Sequence, residues 1–181
     1  MLQLDVMYYI LYLSCMTEST SAPASPASIS QTSVLAFFAA DHVAATPDAK
    51  LYVNGGFFGL LRFPAFPATL PTLGVGAVIE LPFHDQMHDH AIRIGLRGPD
   101  DQELPVRVEA RFRAAPSLEA QFGDPGMVPF GVTLTNVQIP TAGAYNLVLW
   151  FDDVEVKTYR FRAVQTPMIA SSGAPASIPE S

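Results

Sequence analysis

The chain has 181 residues, of which 49% are hydrophobic and 15% charged, with a formal net charge of −7. This length suits one domain with a sizeable core. The ten Lys and Arg residues are interspersed with acidic residues and form no basic run, so no nucleic-acid partner is predicted. The single cysteine excludes an internal disulfide and any metal site built from several cysteines.

Near the N-terminus, residues 6–16 (VMYYILYLSCM) are apolar but too few to cross a bilayer as a helix. They also lack the basic residues that precede the apolar core of a secretory signal. Three interpretations are open: an overextended start with Met16 as the true initiator, a weak secretory or lipoprotein signal ending at Cys15, and a structural segment. The first predicts a cytoplasmic protein and the second a secreted or lipid-anchored one. No transmembrane helix is predicted.

Ser, Ala and Pro dominate residues 17–33 and 165–181. Such segments bury too little apolar surface to offset the entropy that folding removes, so both are predicted to be disordered. The expected organisation is a disordered N-terminal segment (1–33), one domain (34–164) and a disordered tail that begins at residue 165.

The clearest element of this domain is ELPVRVEARFR (103–113), in which apolar and charged residues alternate. A period of two is typical of a strand with one buried face. The residues predicted to be buried are Leu104, Val106, Val108, Ala110 and Phe112. HAIRIGLR (90–97) alternates in the same way, and the intervening GPDDQ (98–102) has the composition of a turn. Together the segments predict an antiparallel hairpin.

Further apolar runs, together with the high Pro, Gly and Phe content, predict about eight strands and no helix longer than two turns. In VPFGVTLTNVQI (128–139) the apolar face shifts by one residue, which predicts a bulge near Thr135 and Asn136. A glycine shortly before Tyr145 matches the tyrosine corner of immunoglobulin-like sandwiches. The predicted fold is therefore an all-β, antiparallel β-sandwich.

Near the end of the first predicted strand lies an Ala-Asp pair, Ala40 and Asp41, followed by KLYVNGG (50–56). Later the domain has a strand that starts at His90, an acidic turn and a Gly-x-Tyr strand. In these features the chain resembles an uncharacterised family of small bacterial β-proteins. The resemblance covers most of residues 34–164 and implies a β-sandwich domain of unknown function. It implies no catalytic residues.

The Pro-rich stretch RFPAFPATLPTLG (62–74) is predicted to be the longest irregular segment of the domain. Because loops on rigid sandwiches often carry binding residues, Phe63 and Phe66 are candidates for a partner-binding loop. The alternative is that they cover one end of the sandwich. Trp150 is expected to pack on a sheet face, whereas an exposed ring would favour carbohydrate binding.

Three of the four histidines lie in LPFHDQMHDH (81–90). The candidates for a metal site are His84, His88, Asp89 and His90, a set that suits zinc, iron or nickel. Their spacing matches no known metal signature. In the alternative interpretation, His90 continues the apolar face of 90–97 and closes the edge of the core, while the other two histidines lie in a solvated loop.

No catalytic residues and no cofactor are predicted, because the chain lacks a GxSxG elbow and glycine-rich phosphate-binding patterns. The favoured function is a non-catalytic module that binds a protein partner, or a second copy of itself, through a sheet edge or an end loop. One alternative is a metal-binding protein or metal-dependent enzyme that uses the histidines. Another is a carbohydrate-binding sandwich.

Overall fold

The computed structural model describes residues 32–115 and 120–166, which form ten β-strands and no helix. The strands are β1 (Ser33–Ala40), β2 (His42–Ala45), β3 (Leu51–Asn54), β4 (Leu60–Phe63), β5 (Ala68–Leu81), β6 (Asp89–Arg97), β7 (Glu103–Arg113), β8 (Gly126–Ile139), β9 (Gly143–Phe151) and β10 (Val154–Gln165). Most of the two predicted tails, and the apolar segment at residues 6–16, lie outside the described residues. In the ranges that are described, no helix exists that could cross a membrane.

The strands form two sheets that pack face to face. One has three strands in the order β1–β5–β8, and the other has five in the order β4–β10–β9–β6–β7. A two-stranded sheet, β2–β3, covers the outer face of the three-stranded sheet. The all-β sandwich prediction is therefore confirmed.

Two details of that prediction are corrected. The predicted number of strands is too low: one apolar run divides at Asp41 into β1 and β2, and the short strand β4 forms where the sequence predicted none. One strand pair is parallel: Leu60 of β4 lies opposite Arg162 of β10. A parallel pair needs a long connection, and here almost the whole domain separates the two strands.

Inward-facing side chains of both sheets form the core. The largest of the fully buried ones are Tyr145, Phe161, Leu73, Ile79, Leu81, Ile92, Ile94, Leu96, Ile139, Leu147 and Leu149. Tyr145 also forms the predicted tyrosine corner, since its hydroxyl donates a hydrogen bond of 2.6 Å to the carbonyl oxygen of Thr141. This bond satisfies the only polar atom of a side chain that is otherwise enclosed by apolar groups.

β6 and β7 form the predicted hairpin, whose turn is closed by a 2.9 Å hydrogen bond from the Gly98 amide to the Gln102 carbonyl oxygen. The inward side chains of β6 are buried, as predicted, whereas those of β7 are only half-buried. The reason is the position of β7, which is the last strand of a five-stranded sheet that faces a sheet of three. Its inner face therefore extends past the opposing sheet.

The Pro-rich stretch 62–74 is mostly strand, contrary to the prediction. β4 ends at Phe63, β5 begins at Ala68, and only residues 64–67 are irregular. Pro71 fits within β5 because it has no paired residue on β8: the pair Leu70–Val137 is followed directly by Thr72–Thr135. The missing N–H of Pro71 therefore removes no hydrogen bond between the two strands.

The phase shift in β8 exists, but the predicted bulge is wrong. Inward apolar residues end at Leu134 and resume at Val137, and the intervening Asn136 has a positive φ of 56°. β5 shifts at the same level, since Leu70 lies opposite Val137 and Leu73 opposite Leu134 with no slip in register. The inward-facing positions therefore shift by one residue on both strands at the same level, and the pairing between the strands stays intact. The sequence pattern of one strand cannot show that its neighbour shifts too.

Glycines on the outer face of the three-stranded sheet allow the β2–β3 hairpin to approach closely. A Cβ atom at Gly74 would lie 2.7 Å from the backbone of His42 and Val43, and one at Gly131 would lie 2.8 Å from the Val43 side chain. The Thr133 hydroxyl accepts a hydrogen bond from the Val43 amide (2.9 Å) and donates one to the Val43 carbonyl oxygen (2.8 Å). The sheet is therefore covered on both faces at this level.

Candidate functional site

His90 begins the inward face of β6 and is only 7% exposed. Its ring packs against Phe151, with 5.0 Å between ring centroids, and against Phe112, at 5.7 Å. The strand alternation that places Ile92 in the core also places His90 there, two residues earlier. This residue therefore closes the edge of the core, as one of the two sequence interpretations expects.

Both ring nitrogens of His90 face hydrogen-bond acceptors. Nδ1 lies 2.8 Å from a carboxylate oxygen of Asp152, and Nε2 lies 2.9 Å from the carbonyl oxygen of Asp85. Because neither acceptor can donate, both bonds form only when the ring is a doubly protonated imidazolium. Burial alone would lower the pKa of His90, but the hydrogen bonds to Asp152 and Asp85 and the charges of these two residues hold this pKa above its usual value.

Asp152 is held in place by the turn that it begins. Asp152 and Asp153 both have positive φ, 47° and 64°, as the central residues of a two-residue hairpin turn between β9 and β10 require. The other carboxylate oxygen of Asp152 accepts a hydrogen bond from the Ala91 amide at 2.8 Å. The turn therefore fixes the carboxylate between the backbone of β6 and the His90 ring.

The remaining metal candidates lie at the surface. His84 and His88 are exposed, and the Asp89 carboxylate pairs with Arg113 at 2.8 Å. Across residues 32–115 and 120–166, no three His, Cys, Asp or Glu side chains converge in a way that could hold a metal ion. A metal ion at His90 would have to displace one of the two hydrogen bonds that the buried ring makes.

Added zinc is therefore expected to leave the melting temperature unchanged at neutral pH. A site that binds only the folded state, at a hundred times its Kd, would stabilise the protein by about 2.7 kcal/mol, and this corresponds to a shift of several degrees. Differential scanning fluorimetry with and without zinc measures this directly. A zinc-dependent rise that is lost on substituting His84 or His88 would contradict the expectation.

The two aromatic candidates of the Pro-rich stretch lie at one end of the sandwich. Phe63 is buried and Phe66 is half-buried, and their rings meet edge to face with 5.6 Å between centroids. Both pack against the core. Only part of the Phe66 ring is available to a partner.

Trp150 packs on the outer face of the five-stranded sheet and is 5% exposed. The guanidinium of Arg93 lies 3.7 Å from the centre of the indole ring and that of Arg97 lies 5.3 Å from it. Gly95 makes room for the ring, since a Cβ atom there would lie 3.1 Å from it. A ring covered in this way offers no free face on which a sugar could stack.

Two surfaces of the five-stranded sheet were not identified from the sequence. The first is the outer edge of β7, which no described strand pairs with. The second is the outer face of the sheet, termed here the arginine face, which carries every arginine of the chain. These residues are Arg62, Arg93, Arg97, Arg107, Arg111, Arg113, Arg160 and Arg162. The arginines are dispersed along the sequence, but the two-residue period of the strands places all of them on one side of the sheet.

The two halves of the Ala-Asp…Gly-Gly motif meet in the structure. The Asp41 amide donates a hydrogen bond of 3.0 Å to the carbonyl oxygen of Asn54. Gly55 has a positive φ of 62°, and a Cβ atom there would overlap the Asp41 carboxylate. The motif therefore fixes the end of the β2–β3 hairpin, which is a structural role.

In sequence, no curated protein matches this chain. Among solved structures, a β-glucosidase from Listeria innocua is similar with 13% identity over 61% of this chain and 15% of that chain, at a TM-score of 0.35. Its complex with glucose matches 59% of this chain at the same identity and TM-score. The chain thus matches about 15% of the length of those structures, and so low a similarity carries no functional argument.

A protein family gives a match over most of the domain. The chain matches DUF6941, described as a family of unknown function, over residues 35–164. This range begins in β1 and ends in β10, so the match includes both sheets and the β2–β3 hairpin. The chain belongs to this family of unknown function, DUF6941.

Proposed function

We propose that this protein is a non-catalytic β-sandwich module that binds protein through the free edge of β7, with a second copy of the chain as its partner. The observation that carries the proposal is the sequence of this edge, which is complementary to itself. β7 has 11 residues, lies at the end of the five-stranded sheet, and has a half-buried apolar inner face. Strand pairing at such edges is a common mode of protein recognition.

The hydrogen bonds of the neighbouring strand show which backbone groups of β7 are free. The Asp152 amide donates to the Ala91 carbonyl oxygen (2.9 Å), so the backbone groups of Ala91 point toward β9. Those of Ile92, the next residue of β6, point toward β7, where Ala110 lies opposite. The backbone groups of Glu109, and of every second residue of β7 from it, therefore point away from β6 to the free edge.

Charges on the outer side of β7 favour antiparallel pairing of two copies about Val108. In that register, Arg107 of each copy lies opposite Glu109 of the other, and Glu103 lies opposite Arg113. Cross-strand pairs of opposite charge stabilise a sheet, whereas like charges directly opposite each other destabilise it. Arg107 and Glu109 also pair within one strand, so the four side chains of two copies would form one alternating cluster.

Apolar residues of the inner side match in the same register. Leu104 lies opposite Phe112, Val106 opposite Ala110, and Val108 opposite itself. All five lie in a row that is half-buried in one chain. Pairing would extend this row into a second copy and cover apolar surface that one chain leaves partly exposed.

Pro105 limits how far the pairing extends. Its backbone lies on the side of the free edge, where proline has no N–H to donate, although its carbonyl oxygen can still accept from Arg111 of the other copy. Arg107 and Glu109 of the two copies can exchange both of their hydrogen bonds. The centre of the edge is therefore the strongest part of the proposed contact.

Reversing one central charge is expected to weaken self-association about tenfold, since the symmetry turns two attractive pairs into two repulsive ones. Glu109→Arg and Arg107→Glu each have this effect, and the double variant with both changes restores association. Lys157→Glu, a charge reversal of an exposed residue on β10, is the control. Sedimentation velocity over a range of concentrations provides the dissociation constants. A monomer at every concentration, or a double variant no better than the singles, contradicts the proposal.

A cysteine cross-link tests the register independently. Val108 would form a non-hydrogen-bonded pair with itself, the close type of pair, in which the Cα atoms are about 4.5 Å apart. In a Cys15→Ser background, Val108→Cys is therefore expected to give a disulfide-linked dimer on mild oxidation. Val106→Cys, whose counterpart in this register is Ala110, gives none. Equal cross-linking of the two variants would show a different contact.

A further inference from the structure

We infer that the arginine face carries a second binding site, a groove between β10 and the start of β4 that takes an acidic peptide segment of a protein partner. Gly59, Ala144, Arg160, Phe161 and Arg162 line this groove, which has a volume of about 420 Å³. It lies at the β4 side of the sheet, whereas the proposed self-association uses the β7 edge on the other side. The two proposals therefore do not depend on each other.

Half of the arginines on this face are already paired with acids. The ion pairs are Arg93 with Glu103 (3.9 Å), Arg97 with Glu155 (2.9 Å), Arg107 with Glu109, and Arg113 with Asp89 (2.7 Å). All of these pairs involve β6 or β7. Among the described residues, Arg160 and Arg162 form no ion pair, and neither does Arg62 on the adjacent β4. Three of the four arginines without an ion pair therefore lie on β4 and β10, beside the groove, and the fourth is Arg111 on β7.

Two small residues, Ala144 and Gly59, line the groove on either side of Arg162. Arg160 and Arg162 flank the core residue Phe161 on β10, so both side chains rise from the outer face. Ala144 lies opposite Arg162 on β9, and at Gly59 a Cβ atom would meet nothing within 4 Å. The Arg162 amide donates a hydrogen bond of 2.9 Å to the Gly59 carbonyl oxygen, and this bond fixes Gly59 beside β10.

The neighbouring row extends the site toward the centre of the sheet. Asn146 of β9 lies opposite both Arg160 of β10 and Arg97 of β6, so its amide lies between the free guanidinium of Arg160 and one that Glu155 already neutralises. Guanidinium groups bind carboxylates through two parallel hydrogen bonds, and an amide can bridge to a backbone. An extended segment with several Asp or Glu residues would match this succession of donors.

The surroundings of the face favour a short acidic peptide over a longer polyanion. β6 and β9 are antiparallel, so the turn with Asp100 and Asp101 and the turn with Asp152 and Asp153 lie at opposite ends of the sheet. A nucleic acid or an anionic membrane would extend past these acidic ends and be repelled, and the chain as a whole carries a charge of −7. A peptide segment fits between the two ends.

The test uses a fluorescein-labelled peptide of ten glutamates, with a ten-residue oligothymidylate and phosphatidylserine vesicles as competing probes. Fluorescence anisotropy at low salt is expected to show binding of the peptide, and Arg160→Gln/Arg162→Gln is expected to weaken it at least tenfold. The control is Lys50→Gln/Lys157→Gln, which removes the same charge from residues outside the groove. It is expected to change the affinity less than twofold.

Three results would overturn the inference: no peptide binding by the wild type, equal losses in both double variants, or tighter binding of the oligonucleotide or the vesicles than of the peptide. Sedimentation of Arg160→Gln/Arg162→Gln separates this inference from the proposed function, because self-association through β7 should be unchanged. Trp150, the only tryptophan of the chain, lies under Arg97 and supplies a second signal. Its fluorescence should change when the peptide binds.

Discussion

Replacement of Gly74 by alanine is expected to destabilise the protein by about 2–4 kcal/mol. The new Cβ atom would lie 2.7 Å from the backbone of His42 and Val43, and a backbone cannot rotate away as a side chain can. The β2–β3 hairpin would have to move outward, and this would lengthen the two hydrogen bonds between the Thr133 hydroxyl and Val43. The loss therefore combines overpacking with weakened hydrogen bonding.

Urea unfolding followed by circular dichroism measures this loss. The matched control is Gly59→Ala, because a Cβ atom at Gly59 would meet nothing within 4 Å. Its free energy of unfolding is expected to stay within about 0.5 kcal/mol of the wild type. Equal stability of the two variants would mean that the hairpin is not packed against Gly74.

Removal of the His90 side chain is expected to cost about 2–4 kcal/mol at pH 6. His90→Ala leaves a cavity beside Phe151 and takes the donor away from both Asp152 and the Asp85 carbonyl oxygen. His84→Ala is the control, because that side chain is 60% exposed, and it should cost no more than about 0.5 kcal/mol. Comparable losses in the two variants would contradict the structural role of His90.

The same residue gives the stability of the protein a pH dependence with a definite sign. The pKa of His90 is raised in the folded state above the unfolded value of about 6.5. Its contribution is therefore complete below pH 6.5 and is lost as the pH rises through the folded pKa. Unfolding measured from pH 5.5 to 8.5 should show this decrease, and the decrease should vanish in His90→Ala.

Asp152→Asn separates the charge from the packing. The amide of this variant can still accept from Ala91 and can donate to a neutral ring at Nδ1, so the turn keeps its geometry. The stabilising charge of Asp152 is removed. The variant should therefore fold, with the decrease between pH 6.5 and 8.5 strongly reduced. An unchanged pH profile would assign the dependence to another group.

Where one strand suffices to define a feature, the sequence predicts it well. The alternation of residues 90–97 predicts that Ile92, Ile94 and Leu96 are buried, and also the position of His90 at the edge of the core. The composition of residues 98–102 predicts the turn. These features depend on the two-residue period and on local turn chemistry, both of which are properties of a short segment.

Features that depend on neighbouring strands could not be predicted in this way. Val108 is half-buried because β7 is the edge strand of its sheet. The sequence of a single segment does not determine the order of strands in a sheet. The partners of His90, Asp152 and the Asp85 carbonyl oxygen, come from a distant turn and from a backbone atom. The pattern of histidines and aspartates therefore left two interpretations open, metal ligands or a histidine at the edge of the core, and it could not supply these hydrogen-bond partners.

The distribution of charge along the sequence does not reveal that all arginines lie on one face of the five-stranded sheet. Arg107, Arg111 and Arg113 project to the same side of β7, so arginines that are separated in sequence share one face. No strand of this sheet contributes more than three arginines, so no segment is strongly basic by itself. Aligning the outward positions of the predicted strands is the one signal that would have revealed this face.

The parallel pairing of β4 with β10 also has a consequence for synthesis of the chain. Leu60 and Arg162 are about a hundred residues apart, so at 5–20 residues per second β10 leaves the ribosome roughly 5–20 s after β4. Until then β4 has no strand to pair with, and β9 lacks one of its two neighbours. The five-stranded sheet closes only after β10 has been synthesised, and a chain that stops before Val154 lacks an interior strand of this sheet.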